Sequence, residues 1–136
     1  MSQPDRKALD ASIEADRQGA TPVTLKALGR VFAFWRVTNA EAARLMGVSE
    51  RTWNRMKAAS WSGALSQDQM LRASALIGLY KALHLYFSDP LADDWVGLAN
   101  SGAQFNQRRP LDVMISEGVP GILATRDYVD ALRGGA

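Results

Sequence analysis

The sequence predicts an all-α protein in which a helix-turn-helix domain is followed by a small helical domain. Three observations lead to this fold class. Apolar residues recur every three to four positions along most of the chain, which is the spacing of an amphipathic helix. Ser or Thr stands three residues before Glu or Gln at two of the predicted helix starts, as in a capping box. No segment alternates apolar and polar residues convincingly enough to predict a strand.

The first segment, residues 1–22, is polar apart from the isolated apolar residues Leu9 and Ile13. We expect it to be a mobile arm that ends near Gly19 and Pro22. The helix-turn-helix domain is predicted over 23–62. It begins with a helix whose apolar residues are three or four positions apart: Leu25, Leu28, Phe32 and Trp35.

The helix-turn-helix itself is predicted over 39–58, where particular residue types stand at the offsets that this unit needs. Thr38 and Glu41 form a capping box for the first helix. Gly47 can adopt the positive φ of the tight turn, and Ser49 can cap the second helix. The apolar residues that would close the helix pair are Ala42, Met46, Val48, Trp53 and Met56.

Residues 66–136 are predicted to form the second domain, after a linker that contains Trp61. Because Trp is enriched at interaction hot spots, Trp61 is a candidate interface anchor. A capping box at Ser66 and Gln69 opens a long helix that Asp89-Pro90 ends. The further predicted helices contain Leu91, Trp95 and Leu98, then Pro110 to Gly118, and finally Ile122 to Leu132.

The outward face of the second helix of the helix-turn-helix predicts DNA binding. Arg51, Asn54 and Arg55 are of the residue types that read base edges in the major groove. Ser49 and Lys57 are expected to position phosphates. Residues 23–60 hold seven basic and two acidic residues, so positive charge gathers around this helix. The alternative is an ordinary helical hairpin with solvated basic residues.

Composition and motifs argue against several other classes of protein. There is no apolar run long enough for a membrane span, no secretory signal and no cysteine, which together favour the cytoplasm. His84 has no nucleophile in register, the carboxylate pairs have no metal ligands beside them, and no glycine-rich phosphate loop is present. We therefore expect no enzyme, no cofactor and no metal.

A homodimer is expected for two reasons. A single helix-turn-helix gives little affinity, so operator binding should need two copies that contact half-sites about one turn of DNA apart. The apolar stripe of the helix over 66–88 also exceeds what a helix on such a small domain readily buries. Its members are Met70, Ala73, Leu76, Ile77, Tyr80, Leu83 and Phe87.

The C-terminal half resembles a known family. The resemblance runs from Trp95 through Asn100 and Phe105 to Arg109-Pro110-Leu111-Asp112-Val113-Met114, Gly118, Tyr128-Val129 and the terminal Arg133-Gly134-Gly135. These residues are similar to the toxin-binding domain of the Xre/MbcA/ParS antitoxins, in which such a domain follows a helix-turn-helix domain. Ala99 and Asn106 depart from the pattern of the family, which often has Pro and Gly there.

The resemblance implies a type II antitoxin whose partner is a toxin with a RES domain, an NAD-consuming fold similar to ADP-ribosyltransferases. The antitoxin would cover the toxin's active-site cleft with the tail over 118–136, where Arg133 or the terminal carboxylate would occupy polar sites of the dinucleotide. It would also repress its own operon. The implied toxin-binding residues are Trp95, Arg108, Arg109, Gly118, Arg126, Tyr128 and Arg133. The alternatives are a stand-alone helix-turn-helix repressor whose C-terminal domain dimerises, and an adaptor with a degenerate helix-turn-helix.

Overall fold

The computed structural model describes residues 3–134, and the regular secondary structure of this part of the chain is all helical, with no strand, as the sequence predicts. It contains seven helices, and a 3₁₀ turn, Trp95–Gly97, directly follows the fifth. The helices are α1 Gln3–Phe34, α2 Asn39–Met46, α3 Glu50–Lys57, α4 Gln67–Tyr86, α5 Leu91–Asp94, α6 Pro110–Glu117 and α7 Val119–Gly134.

Helix α1 corrects the predicted boundary of the N-terminal arm. The residues predicted as an arm ending near Gly19 and Pro22 belong to the same helix as the residues after them, and this helix runs without a break from Gln3 to Phe34. Tertiary contacts explain how it continues past the proline. Thr21 is 1% exposed, and its hydroxyl accepts a 3.0 Å hydrogen bond from the backbone N–H of Leu65. The first two residues of the predicted arm lie outside the described part of the chain.

Helices α2 and α3 form the predicted helix-turn-helix. The capping box of Thr38 and Glu41 is confirmed, with both reciprocal hydrogen bonds present. Gly47 follows α2 at φ 70° and ψ 30°, the left-handed conformation that glycine adopts without steric cost. The side chain of Ser49 accepts a hydrogen bond from the backbone N–H of Thr52 and so caps α3. Of the predicted apolar set, Ala42, Met46, Trp53 and Met56 are buried and Val48 is half-buried.

Helix α4 lies at the centre of the molecule, because α1 packs on one side of it and α7 on another. The capping box of Ser66 and Gln69 opens it as predicted. Much of its apolar stripe is covered by α1 and α7 of the same chain, so burial within the chain accounts for much of the stripe that led us to expect a dimer contact. The stripe is buried at Ala73, Leu76 and Leu83, and half-buried at Met70, Ile77, Tyr80 and Phe87.

An aromatic cluster joins α4, the 3₁₀ turn, the loop after it and α7. The Trp95 ring meets Phe105 edge-on at a centroid distance of 5.8 Å and stacks on Tyr128 at 6.1 Å. The loop over 100–108 is closed by backbone hydrogen bonds between Asn100 and both Gln107 and Arg108. Asn106 has φ 51°, so it adopts the positive φ that a glycine would supply, as asparagine tolerates.

Candidate functional site

Helix α3 presents three of the predicted base-reading side chains on one exposed face. Arg51, Asn54 and Arg55 are spaced three and four residues apart and are all exposed. The opposite face of α3 is fixed in the core by Trp53 and Met56, which are 2% and 3% exposed. Burial of these two residues sets the rotation of the helix and therefore turns the polar face outward.

The two predicted phosphate-binding residues flank this face and differ from each other. The Ser49 hydroxyl accepts from Thr52 N–H at 3.1 Å and donates to Thr52 Oγ1 at 3.0 Å, so its hydrogen bonds are made within the first turn of α3. Lys57 Nζ donates to Asn39 Oδ1 at 2.7 Å, which directs this ammonium group towards the start of α2. Within residues 3–134, Arg51 and Arg55 make no ion pair, so both guanidinium groups can meet an anion.

The predicted partner-binding residues divide into supporting and exposed groups. Trp95 is only 7% exposed, so it is a core residue that supports the surface from behind rather than an anchor that reaches a partner. Gly118 ends α6 at φ 69° and ψ −143°, and α7 begins at the next residue. Tyr128 on α7 is half-buried against Trp95 and Phe105. Phe105 completes this support; the sequence showed it only as part of the family resemblance.

The arginines of α7 remain open to solvent. The side chains of Arg126 and Arg133 are 42% and 44% exposed, and both lie near Asp130, at 3.9 Å and 3.8 Å. The Arg126 guanidinium group also covers Gly78 on α4, where an added Cβ would stand 2.7 Å from Arg126 Cζ. The last residues of the predicted tail, 135 and 136, lie outside the described part of the chain.

Arg109 is engaged inside the molecule, where the sequence suggested a contact with the partner. Its Nε and Nη2 bind the two carboxylate oxygens of Asp112 at 2.8 Å and 2.7 Å, and Nη2 also donates to Glu41 Oε2 at 3.2 Å. Arg108 is exposed, and its Nε donates to the backbone carbonyl of Phe105 at 3.2 Å. Of this pair, therefore, Arg108 is the one that is free to meet another protein.

The ion pairs around Arg109 shift the carboxylates towards the charged form. Hydrogen bonding from Arg109 lowers the pKa of Asp112 against an opposing effect of burial. For Glu41, burial alone would raise the pKa, but the backbone N–H of Thr38 and the Arg109 guanidinium group together outweigh it, and the pKa is lowered. Both carboxylates therefore favour the folded protein most strongly when they are ionised.

Two further features were not foreseen from the sequence. His84 Nε2 lies 2.7 Å from Asp93 Oδ1, and Nδ1 lies 3.7 Å from Asp89 Oδ1, so the lone histidine bridges two carboxylates across the turn between α4 and α5. The carboxylates approach opposite nitrogens of the ring, which suits hydrogen bonding better than ligation of one shared ion. A cavity of about 530 Å³ opens between α1 and the end of α3, where the half-buried Trp61 lines it with Leu25 and Met56.

None of the helices described is both long and apolar enough to cross a membrane.

The comparisons with known proteins match both halves of the chain. Residues 4–78 match the family described as the antitoxin Xre-like helix-turn-helix domain. Residues 82–135 match the antitoxin Xre/MbcA/ParS C-terminal toxin-binding domain. The two matched ranges meet within α4, whereas the predicted division between the domains lies at 62–66. The chain is 32% identical to the uncharacterised protein y4oB of Sinorhizobium fredii, over 99% of this chain and all of that protein. No solved structure matches the chain.

Proposed function

Because this chain belongs to the Xre-type antitoxins with an Xre-like helix-turn-helix domain and an Xre/MbcA/ParS toxin-binding domain, we propose that it neutralises a RES-domain toxin and represses its own operon. It would act in the cytoplasm, without a cofactor or a reaction of its own. One observation carries the proposal most directly: the two matched domains account for nearly the whole chain, and each has an exposed charged surface outside the shared core.

The DNA-binding half of the proposal rests on α3. Arg51, Asn54 and Arg55 would reach base edges in the major groove, since they share the exposed face opposite Trp53 and Met56. Ser49 and Lys57 would hold phosphates at the two ends of the helix. We propose that a homodimer binds the operator, because one recognition helix of eight residues offers too few contacts for a specific complex.

The toxin-binding half rests on α7 and the start of α6. Arg126, Tyr128 and Arg133 would line the surface that covers the toxin's NAD cleft, and Arg108 would extend it. Trp95 and Gly118 would hold this surface in shape, Trp95 by supporting Tyr128 and Gly118 by setting the corner between α6 and α7. Inhibition would be steric, since covering the cleft excludes the dinucleotide from it.

Co-expression with the toxin-sized reading frame next to this gene tests the proposal. The chain should restore growth, copurify with the toxin and prevent it from consuming NAD. Arg133→Ala should weaken neutralisation, whereas Arg6→Ala, which changes an exposed arginine near the start of the chain, should not. Neutralisation that is unchanged by Arg133→Ala and by removal of the last four residues would reject the role of the tail.

Co-expression, read together with DNA binding, separates the two rival functions. A stand-alone repressor would bind the DNA upstream of its gene but neither pair with the neighbouring protein nor restore growth. An adaptor with a degenerate helix-turn-helix would pair with the toxin and show no salt-dependent DNA binding.

A further inference from the structure

Helix α2 of the helix-turn-helix is held at both ends by arginines from outside this unit. At its first turn, Glu41 receives a hydrogen bond from Arg109 Nη2 at 3.2 Å, although the two residues are 68 positions apart in the chain. At its last turn, the backbone carbonyl of Leu45 accepts from Arg72 Nη1 at 3.0 Å. We call these two contacts the α2 clamp.

The first contact of the clamp connects α2 with the start of α6. Arg109 immediately precedes α6, and its guanidinium group is oriented by the paired hydrogen bonds to Asp112 in the first turn of that helix. Glu41 is oriented in turn, because its other carboxylate oxygen accepts from the backbone N–H of Thr38 at 3.0 Å. The ion pair therefore joins two side chains that are already fixed, which limits the entropy lost in forming it.

The second contact connects the last turn of α2 with α4, beside the end of α6. Arg72 on α4 is fixed by Asp68 at 2.8 Å, and its side chain is only 16% exposed. Its guanidinium group packs against Gly47, where an added Cβ would stand 3.0 Å from Arg72 Cζ. On its other side, Arg72 Nη2 lies 3.8 Å from the Cβ position of Gly118, the residue that ends α6.

The Leu45 carbonyl is one of those that an isolated helix leaves without a partner at its C-terminus, where positive charge is also favourable. Arg72 supplies both the donor and the charge. Arg109 thus ties the first turn of α2 to the start of α6, and Arg72 ties the last turn of α2 to α4. Rotation of α2 against α6 would strain the ion pair between Glu41 and Arg109.

We propose that Arg109 and Arg72 are positioning residues that make DNA binding at α3 and toxin binding at α6 and α7 interdependent. The inference rests on the proposed function and adds to it the route by which one surface senses the other. DNA bound to α3 holds α2, and through the α2 clamp it holds α6. A toxin bound over α6 and α7 holds the helix-turn-helix in the same way, so each ligand favours the other. Linkage requires the effect to be reciprocal.

The test uses the full chain and needs no toxin. A fluorescent DNA duplex of about 20 base pairs, roughly two helical turns, is taken from the region upstream of the gene and bound at low salt. Anisotropy reports binding, and hydrogen exchange reports the amides over 113–118. In the wild type, we expect DNA to slow exchange in this segment of α6 by at least about fivefold, although no residue of it belongs to the DNA-binding face.

The variant Glu41→Gln breaks the clamp with little other change. Gln at this position still completes the capping box, but its single amide oxygen is needed by Thr38 N–H, so the amide group turns its NH₂ towards Arg109. The matched control is Asp127→Asn, which removes a negative charge from an exposed carboxylate of α7 that makes no ion pair within residues 3–134. Arg72→Lys keeps the charge at the second contact but removes the forked donor.

We expect Glu41→Gln and Arg72→Lys to lose more than half of the slowing in α6 while they remain folded and still bind DNA, whereas Asp127→Asn should keep the slowing of the wild type. Full slowing in both variants would overturn the proposal, as would DNA binding by the wild type without any slowing in α6. If anisotropy detects no binding by the wild type, the DNA-binding half of the proposed function fails as well, and that result is seen directly rather than through the exchange data.

Discussion

The backbone N–H of Leu65 donates a 3.0 Å hydrogen bond to the hydroxyl of Thr21, which lies 44 residues earlier in the chain. The same hydroxyl donates to the carbonyl of Arg17 at 2.6 Å, so both of its functions are used. Leu65 is fully buried and immediately precedes the cap of α4. This one hydroxyl therefore fixes the linker between α3 and α4 to the middle of α1.

The first prediction concerns this hydroxyl. Thr21→Val keeps the shape of the side chain but leaves the buried Leu65 N–H without an acceptor, so it should lower the free energy of unfolding by about 1–3 kcal/mol. Thr125 is the matched control, because its buried hydroxyl only donates to the carbonyl of Gly121 within α7. Thr125→Val should change stability by less than about 0.5 kcal/mol. Urea denaturation measures the free energy of unfolding of both variants. Equal losses in Thr21→Val and Thr125→Val would contradict the role of the Thr21 hydroxyl as the acceptor for Leu65.

The second prediction concerns the corner between α6 and α7. Gly118 has φ 69° and ψ −143°, a conformation that a residue with a Cβ adopts only at a cost. Gly118→Ala should therefore destabilise the protein by about 1–3 kcal/mol, although its Cβ would meet no atom closer than 3.8 Å. Gly29 in α1 has nothing within 4 Å of its Cβ position, so Gly29→Ala should stabilise by about 0.5–1 kcal/mol. Thermal unfolding should therefore show a lower melting temperature than the wild type for Gly118→Ala and a higher one for Gly29→Ala.

The third prediction concerns acid. The pKa of Glu41 and that of Asp112 lie below their ordinary values of 4.5 and 3.8, so both carboxylates bind protons more readily in the unfolded chain. Their contribution is complete above those ordinary values and is lost as the pH falls through the lowered pKa values of the folded protein. Stability should thus decrease on titration from about pH 5 downward.

Removing one of these carboxylates should flatten the decrease of stability with falling pH. Because Arg109 is partly exposed, Glu41→Gln should cost only about 0.5–1 kcal/mol at neutral pH and progressively less in acid. The control Asp127→Asn removes an exposed carboxylate of α7 that makes no ion pair within residues 3–134, so it should flatten the decrease less than Glu41→Gln does. Denaturation curves at a series of pH values measure the slopes, and parallel curves for Glu41→Gln and the wild type would refute the role of the ion pair.

The fourth prediction concerns the recognition helix. Arg55→Ala should weaken binding to the operator by about 1–3 kcal/mol, because it removes a base or phosphate contact, and should leave toxin neutralisation intact. Lys81→Ala removes an equally exposed positive charge from α4 and should have a much smaller effect on DNA affinity. DNA titrations at several salt concentrations measure the affinity of both variants. Equal losses of affinity in Arg55→Ala and Lys81→Ala would indicate general attraction by positive charge rather than contact through α3.

The features that the sequence predicted correctly are those decided by a few neighbouring residues. The capping box of Thr38 and Glu41, the left-handed Gly47 and the cap at Ser49 all depend on chemistry within one turn of helix. The same holds for Ser66 and Gln69 at the start of α4. The antitoxin family followed from the residue types of the C-terminal half.

The features that the sequence could not show depend on residues far apart in the chain. The end of the arm was misplaced because Thr21 and Leu65 meet across the fold and support α1 through the proline. The burial of Trp95 has no local signal, because Phe105 and Tyr128, which enclose it, come from other segments. The pairing of Arg109 with Glu41 has no local signal at all, since each residue would look equally suitable for an external partner.

The central position of α4 has a consequence for how such proteins diversify. Because α1 and α7 pack on different sides of one helix, neither half can be replaced without a matching α4. A crossover near the linker would join an α4 to an α1 that it has not been selected to fit. Lineages that acquire a new toxin or a new operator should therefore do so by substitutions on the outer faces of α7 or α3, and they should inherit the two halves as a single block.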